Sequence, residues 1–382
     1  MKISRPLKVA ATALAIAISA STSAFADVAI SGDGSSFAAP LINACKVGWQ
    51  NANTASGYSL ASYAAGGSGT GRTNSDKGIG DFNFSDAVHT TARPTVIQIP
   101  VVAAPIAIVY NLGGRDGLVL SQKTLSDIFA GKITKWNDPA IVKENNTTTT
   151  KVIFKEDGNG NPVKDAGGKP IVLRTQTVKN RFSLPNKTIN VIVRSDSSGS
   201  TQNLVNFFIK QFPTTWTKVS SGTFSSVFPG DINGAGNLGR FIGVKGSALL
   251  SSAVKSTGYS ISYVESSYGT KKALGIAAIQ NAAGNYQMPD AAGTAAFLGA
   301  ATAASNGALT FNYDTKEAGA YVLGIVTYAL MDTAKTGDNA KAAKSFLQYL
   351  LSPACPTTDS TLEYTTITGA LLKVDNDLLA KL

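Results

Sequence analysis

Arg194 stands four residues before Ser198-Gly199-Ser200, within the run Val193-Arg194-Ser195-Asp196-Ser197-Ser198-Gly199-Ser200-Thr201-Gln202-Asn203. Leu204, Phe207, Phe208 and Phe212 follow at helical spacing, which predicts a helix starting near Ser198. A helix start carries backbone N–H groups without intrahelical partners and a partial positive charge. Gly199 admits a ligand close to the backbone, Ser198 and Ser200 add hydroxyls, and Arg194 adds a two-pronged cationic grip. The chemistry such a set can do is to hold an anion, and a tetrahedral oxyanion fits it best. A serine turn before a helix can also be a plain N-cap; the arginine and further turns of the same kind favour the site.

The first of those turns is Gly32-Asp33-Gly34-Ser35-Ser36-Phe37-Ala38-Ala39-Pro40-Leu41, after the strand-like Val28-Ala29-Ile30. Phe37, Leu41, Cys45 and Trp49 recur every four residues and define one helical face, with Ser35 or Ser36 as cap and Pro40 in the first turn. The second is the glycine-rich loop Tyr63-Ala64-Ala65-Gly66-Gly67-Ser68-Gly69-Thr70-Gly71, which lacks the Lys-Ser/Thr ending of a nucleotide P-loop. A fourth element, Asp81-Phe82-Asn83-Phe84-Ser85-Asp86, reads as a short buried strand ending on a carboxylate. Such a carboxylate can be a turn residue, but beside an anion site it can accept the proton of hydrogen phosphate. Sulfate has no proton to give, and a site built on a specific hydrogen bond rejects the analogue lacking it by about 10⁴–10⁵-fold.

The order of these elements, with Leu125-Ser126-Asp127-Ile128-Phe129-Ala130-Gly131-Lys132-Ile133-Thr134-Lys135-Trp136-Asn137-Asp138-Pro139, resembles the phosphate-binding proteins of phosphate ABC transporters. The resemblance implies an α/β fold, a type II two-domain periplasmic binding protein with hinge-linked domains and a ligand cleft between them. It implies phosphate donors at Ser36 (hydroxyl and N–H), Phe37 (N–H), Ser68, Ser198, Gly199 and Ser200. It further implies that Asp86 accepts the phosphate proton, that Arg194 holds two phosphate oxygens and that Asp196 holds Arg194. Serines at 36 and 200 stand where the family often has threonine, and both keep the hydroxyl. Secreted DING-type phosphate binders share the likeness, without their opening motif here. The implied division is residues 27–108 plus 316–382 for a discontinuous first domain and 109–315 for the second, with crossings near Pro105 to Leu112 and Asn312 to Val322. The implied partners are inorganic phosphate and a membrane ABC permease, for a monomeric protein that catalyses nothing. The alternatives are a sulfate or related oxyanion binder, and a secreted or surface-associated interaction or adhesion protein on the same fold.

The elements that must position these residues alternate between strands, such as Thr95 to Val109 and Ile189 to Val193, and helices, such as Ser121 to Ala130 closed by Gly131. The Ala- and Gly-rich stretch from Gly284 to Gly307 reads as a surface loop with short helices. Lys2, Arg5 and Lys8, an apolar run from Val9 to Ala20 and Ala24-Phe25-Ala26 form a signal peptide over 1–26. Its removal leaves 356 of 382 residues, room for two cored domains, with a periplasmic or secreted location. Two cysteines in an exported chain, Cys45 and Cys355, suggest a disulfide, with two buried thiols as the alternative.

The formal net charge is +10, of which the signal peptide holds +3. Residues 151–187 carry eight basic residues against three acidic ones, a net +5, on a hairpin insertion near 144–187. Val152-Ile153-Phe154 and Pro170-Ile171-Val172-Leu173 flank a turn at Asp157 to Pro162, which lacks the closing glutamate of a calcium loop. The basic face is either a solvated surface or a contact for an anionic surface. Nucleic acid is excluded, since the segment has only Phe154 and Phe182 for stacking. No cofactor or metal is expected: His89 is the single histidine, which also leaves no base for a serine triad outside the Asp86 turn.

Overall fold

The run Val96–Asn111, VIQIPVVAAPIAIVYN, is apolar almost without break, and in the computed structural model it forms one buried 16-residue strand at the centre of the protein. A strand covered on both faces needs no alternation. The structure describes residues 27–90, 93–155, 157, 163–167, 169, 171–179, 181–355, 364–367 and 369–382. The signal-peptide reading of 1–26 and most of the turn at 157–162 lie outside them.

Eight strands form a continuous path, named in chain order β1 (Val28–Gly34), β2 (Tyr58–Tyr63), β3 (Phe82–Ser85), β4 (Val96–Asn111), β5 (Asn190–Arg194), β6 (Phe241–Val244), β7 (Ser260–Glu265) and β8 (Gly324–Asp332). Their order is β2-β1-β3-β8-β4-β7-β5-β6. On one side β1 pairs in parallel with β2 and β3; on the other β5 pairs in parallel with β6 and β7. Between them β4 changes partner. Its residues up to Pro105 face β8, and from Ile106 onward they face β7, both antiparallel. Two prolines mark irregularities on this strand. The register with β8 shifts opposite Pro100, and Pro105 sits at the partner change, positions where a missing N–H costs least.

The helices that matter here are α1 (Ala39–Ala52), α2 (Ser68–Lys77), α3 (Gln122–Phe129), α4 (Gly199–Gln211), α5 (Ser247–Ser256) and α6 (Asp338–Leu350). The Ser121 hydroxyl caps α3 by accepting from Thr124 N, and Gly131 ends it with φ 75°. Helix α2 corrects the sequence reading, which made residues 63–71 a loop. Its buried face is Ser68, Gly71 and Ser75, so it has no apolar period to detect. A Cβ at Gly71 would lie 2.2 Å from the Phe84 carbonyl oxygen, so glycine is what lets the helix seat on β3. The capping expectation for α1 is also amended: the helix starts at Ala39, and the Ser35 hydroxyl accepts from Ala38 N at 2.9 Å. The Gly284 to Gly307 stretch is less superficial than expected, because Phe297 of the helix Ala291–Leu298 is fully buried.

Cys45 on α1 and Cys355 beyond α6 are joined in a disulfide across a sequence separation of 310. Closing so long a loop stabilises by up to about 4–5 kcal/mol in the chain-entropy picture. The basic hairpin is real and longer than its sequence signal, with Thr148–Phe154 antiparallel to Val172–Lys179.

One buried carboxylate stands apart from all of this. Asp375, in the helix Gly369–Leu379, is fully buried, and among the described residues neither of its oxygens has a hydrogen-bond partner. Burial pushes its carboxyl up from 3.8 to about 8. The folded state therefore keeps a proton that the unfolded chain releases. The contribution of Asp375 to stability is greatest at and below the unfolded pKa near 4, and is lost as pH rises from there to about 8. Asp375→Asn removes that loss, and the variant should gain on the parent by up to about 5 kcal/mol between pH 4 and pH 8. Urea melts across that range check this; a stability difference that does not change with pH would refute it.

Candidate functional site

Parallel strands deliver their C-terminal ends, and the helices that follow them, to one place. The turn after β1 leads to α1, that after β2 to α2, that after β5 to α4 and that after β6 to α5. Strand β3 ends beside them and presents Asp86. Crevices at the carboxyl ends of strands, lined by helix N-termini, are where open α/β sheets bind ligands.

The structure brings the sequence-predicted residues together. Arg194, 3% exposed, gives its Nε to Asp196 Oδ1 at 2.7 Å and an Nη2 hydrogen to Oδ2. Gly246 N also donates to Asp196 Oδ1 at 3.1 Å. The bidentate clamp leaves the other terminal nitrogen, Nη1, turned to the Ser247 hydroxyl at 3.4 Å. That hydroxyl lies 3.1 Å from the Ser36 hydroxyl, so residues of the α1 and α5 turns touch. Asp86, 3% exposed, accepts from Ser35 and from Thr327 (2.8 Å) on Oδ1, and from Ser68 (3.0 Å) on Oδ2. Gly199 packs so closely here that a Cβ would meet Asp86 Cβ and Ser68 Oγ, each at 2.6 Å. Ser200 Oγ is buried without a hydrogen-bond partner.

Two hydroxyls expected to face a ligand are otherwise engaged. Ser68 Oγ donates to Asp86 and accepts from Asp86 N at 3.1 Å, which makes it part of the carboxylate's cradle. Ser198 N donates to Gly222 O at 2.9 Å, and its hydroxyl accepts from Thr201 N as the α4 cap. What Ser198 still offers is its hydroxyl hydrogen. Phe37 is buried, and its carbonyl accepts from the Tyr364 hydroxyl at 2.7 Å.

The two sides of the sheet are in contact across the site. Gly69 N donates to Ser197 O at 2.9 Å, Tyr268 OH to Ser36 O at 3.0 Å, and Asn203 Nδ2 to the Asp86 carbonyl. Arg72, on α2, reaches Ser85 Oγ at 3.1 Å and Ser197 Oγ at 3.5 Å.

Burial raises the Asp86 pKa above the usual carboxylate range; its three hydroxyl donors and the charge of Arg194 pull it back without cancelling the rise. Burial opposes ionisation of Asp196 too, but the Arg194 hydrogen bond and charge, with Gly246 N–H, outweigh it and hold the group low. Beneath Arg194, burial pushes Tyr263 up to about 12, so it stays a neutral phenol against Arg194 N and Thr201. The site thus holds a fixed cation and its carboxylate partner, a protonatable carboxylate, several hydroxyls and four helix starts. That is equipment for binding an oxyanion that carries a proton. His89 lies apart from it, with Nε2 2.8 Å from Asp76.

Sequence reasoning missed Ser247, Thr327 and Arg72, and treated Ser35 only as a cap. Ser247 had a signal: Val244-Lys245-Gly246-Ser247 is another strand, glycine, serine, helix junction. Thr327 had none, since it sits inside an apolar strand.

A family model for the PBP superfamily domain matches residues 19–354. A phosphate-binding protein PstS of Xylella fastidiosa is 30% identical over 331 residues, covering 84% of this chain and 77% of its own. A phosphate-binding protein PstS of Methanocaldococcus jannaschii is 28% identical over 315 residues, covering 76% and 70%. Among solved structures, a phosphate-binding protein of Stenotrophomonas maltophilia superposes with a TM-score of 0.60 at 18% identity, over 92% of this chain and 93% of that one. That likeness supports the α/β fold of two hinge-linked lobes expected above. By the extent of the family match and the identity to PstS, the chain belongs to the PBP superfamily and, within it, to the PstS phosphate-binding proteins.

Proposed function

We propose that this protein binds inorganic phosphate at the Asp86–Arg194 site and delivers it to an ABC-type phosphate permease, without catalysing a reaction. The observation that carries the reading is Ser200 Oγ, a buried hydroxyl with no partner. It stands at the start of α4, one residue from the glycine that packs on Asp86 and Ser68. A buried polar atom without a partner is rare in a native fold, and at a helix start beside a buried arginine, unlike Asp375 in its helix, it points to a ligand. The names of the PstS relatives support phosphate as that ligand, and delivery to a permease is what the family resemblance implies. Phosphate oxygens are assigned to Arg194 Nη1, the hydroxyls of Ser36, Ser198 and Ser200, and the N–H groups of Ser36, Phe37, Gly199 and Ser200. Asp86 takes the phosphate proton, with Ser68 turning to share the load.

In this reading residues 27–108 and 316–382 form one lobe and 109–315 the other, and the partner change of β4 at Pro105 and Ile106 supports a crossing there. Hinge closure brings Ser36 to Ser247 over the ligand. The protein works as a monomer outside the cytoplasm, periplasmic or secreted, and the basic hairpin is its contact for an anionic surface. Titration calorimetry of the purified protein tests the ligand: phosphate binds, arsenate binds more weakly, and sulfate gives no heat. Equal binding of sulfate and phosphate would refute the proton-reading site. Binding of no oxyanion would hand the fold to the adhesion alternative.

A further inference from the structure

The hairpin Thr148–Phe154 and Val172–Lys179 is held by its own cross-strand pairing, and among the described residues it joins no other sheet. A two-stranded ribbon standing alone is marginal in water. Its far end carries a second layer of pairing: Lys155 N donates to Ile171 O (2.8 Å), Val163 N to Lys155 O (2.7 Å), Ile171 N to Val163 O (2.8 Å) and Asp165 N to Lys169 O (2.8 Å). This end displays two kinds of side chain at once. Ile171, Val172 and Leu173 are 37%, 53% and 62% exposed. Adjacent strand residues point to opposite faces, so apolar side chains stand uncovered on both. Around them Lys155, Lys164, Lys169 and Arg174 are all exposed, as are Asp157 and Asp165; with Glu156 the sequence from 155 to 174 sets four cations against three acids, the cations lying nearest the apolar cluster in sequence being Lys169 and Arg174. Asp165, itself exposed, accepts from Gly167 N and Lys169 N at 2.9 Å within the turn.

From this juxtaposition we infer that the ribbon end is a membrane-surface anchor, which docks on anionic phospholipid by setting Ile171, Val172 and Leu173 into the headgroup–acyl boundary with the four cations against the phosphates. The charge alone fits any polyanion. The apolar cluster decides between them, because an anionic polysaccharide offers no apolar layer for three adjacent aliphatic side chains, whereas a lipid interface does. The anchor shares no residue with the Asp86–Arg194 site and does not depend on what that site binds. It would keep a binding protein at the face of the membrane where a permease sits, at raised local concentration.

Co-sedimentation of the purified protein with vesicles of phosphatidylcholine, with and without phosphatidylglycerol, tests this. Binding is expected only with phosphatidylglycerol and should weaken with salt. Lys164→Glu with Lys169→Glu should reduce it by about tenfold or more. Val172→Ser with Leu173→Ser should reduce it severalfold at unchanged charge and leave a component that salt removes completely. Phosphate calorimetry on each variant confirms that the protein is folded. Absence of vesicle binding, equal binding to neutral vesicles, or a Val172/Leu173 variant that binds like the parent would overturn the inference. So would capture by soluble dextran sulfate with none by vesicles, which would assign the ribbon to a polymer.

Discussion

The Arg194→Ala protein is expected to bind phosphate from about thirtyfold to several thousandfold more weakly than the parent, corresponding to about 2–5 kcal/mol. Arg194 is nearly sealed from solvent, so its charge is little screened. Its side chain also holds Asp196 bidentately. Removing the arginine therefore takes away the main countercharge and leaves the Asp196 carboxylate uncompensated at the edge of the site. The two losses can be separated. Asp196→Ala alone frees the guanidinium from its orientation but not from its charge, so it should cost less. In the double variant the repulsion from Asp196 is gone, and affinity should recover part of the way from Arg194→Ala. A double-mutant cycle by calorimetry, with melting curves for each variant, reads the coupling. Parent-like affinity in Arg194→Ala would place the anion elsewhere on the molecule.

How far this site was legible in the sequence turns on what kind of signal each part leaves. The chain contains four Gly-Ser pairs, Gly34-Ser35, Gly67-Ser68, Gly199-Ser200 and Gly246-Ser247, and all four lie in turns of the site. Three drew attention in the sequence through a nearby apolar period, an arginine or a glycine run, although Gly67-Ser68 was taken for a loop and opens a helix. The fourth has no such marker. Ser247 acts through the Ser36 hydroxyl and Arg194 Nη1, partners 211 and 53 residues away, and only the fold supplies that. Thr327 is harder still. It lies in β8, where all but the last residue are buried, so periodicity cannot say which side chain meets Asp86. The register does, through Tyr328 opposite Ser85. Helix α2 was missed for a related physical reason. Its packing is made by glycine and serine at backbone distance rather than by apolar side chains, and apolar side chains are what sequence patterns detect. The long strand, the caps of α3 and α4 and the Cys45–Cys355 bond were legible because each has a local or compositional cause.

Asp86→Asn should change what the protein selects more than how it folds. The parent carboxylate accepts three hydroxyl hydrogens, two of them on Oδ1. An asparagine that keeps its oxygen in the Oδ1 place retains Ser35 and Thr327. Its nitrogen then stands beside Ser68, whose oxygen can accept where its hydrogen formerly donated. The Ser68 hydrogen is thereby released toward the anion, and the amide adds a donor of its own. The site has lost a proton acceptor and a negative charge, and has gained donors. Hydrogen phosphate loses the partner for its proton, while sulfate loses the repulsion that kept it out. Sulfate affinity should rise by about a hundredfold or more, within the 10⁴–10⁵-fold range that one matched hydrogen bond can discriminate. Phosphate affinity should fall by a smaller factor, since Arg194 and the helix starts still act on it. Burial also explains why an aspartate suits this place. With its carboxyl held above the ordinary range, Asp86 binds a proton more readily than a solvated carboxylate does, which favours sharing one with the ligand. Competition calorimetry, sulfate against phosphate on parent and variant, measures the exchange. If the variant still refused sulfate as the parent does, with phosphate bound as before, Asp86 would be a structural cradle for Ser35, Ser68 and Thr327, and selection against sulfate would have to come from the shape of the closed site.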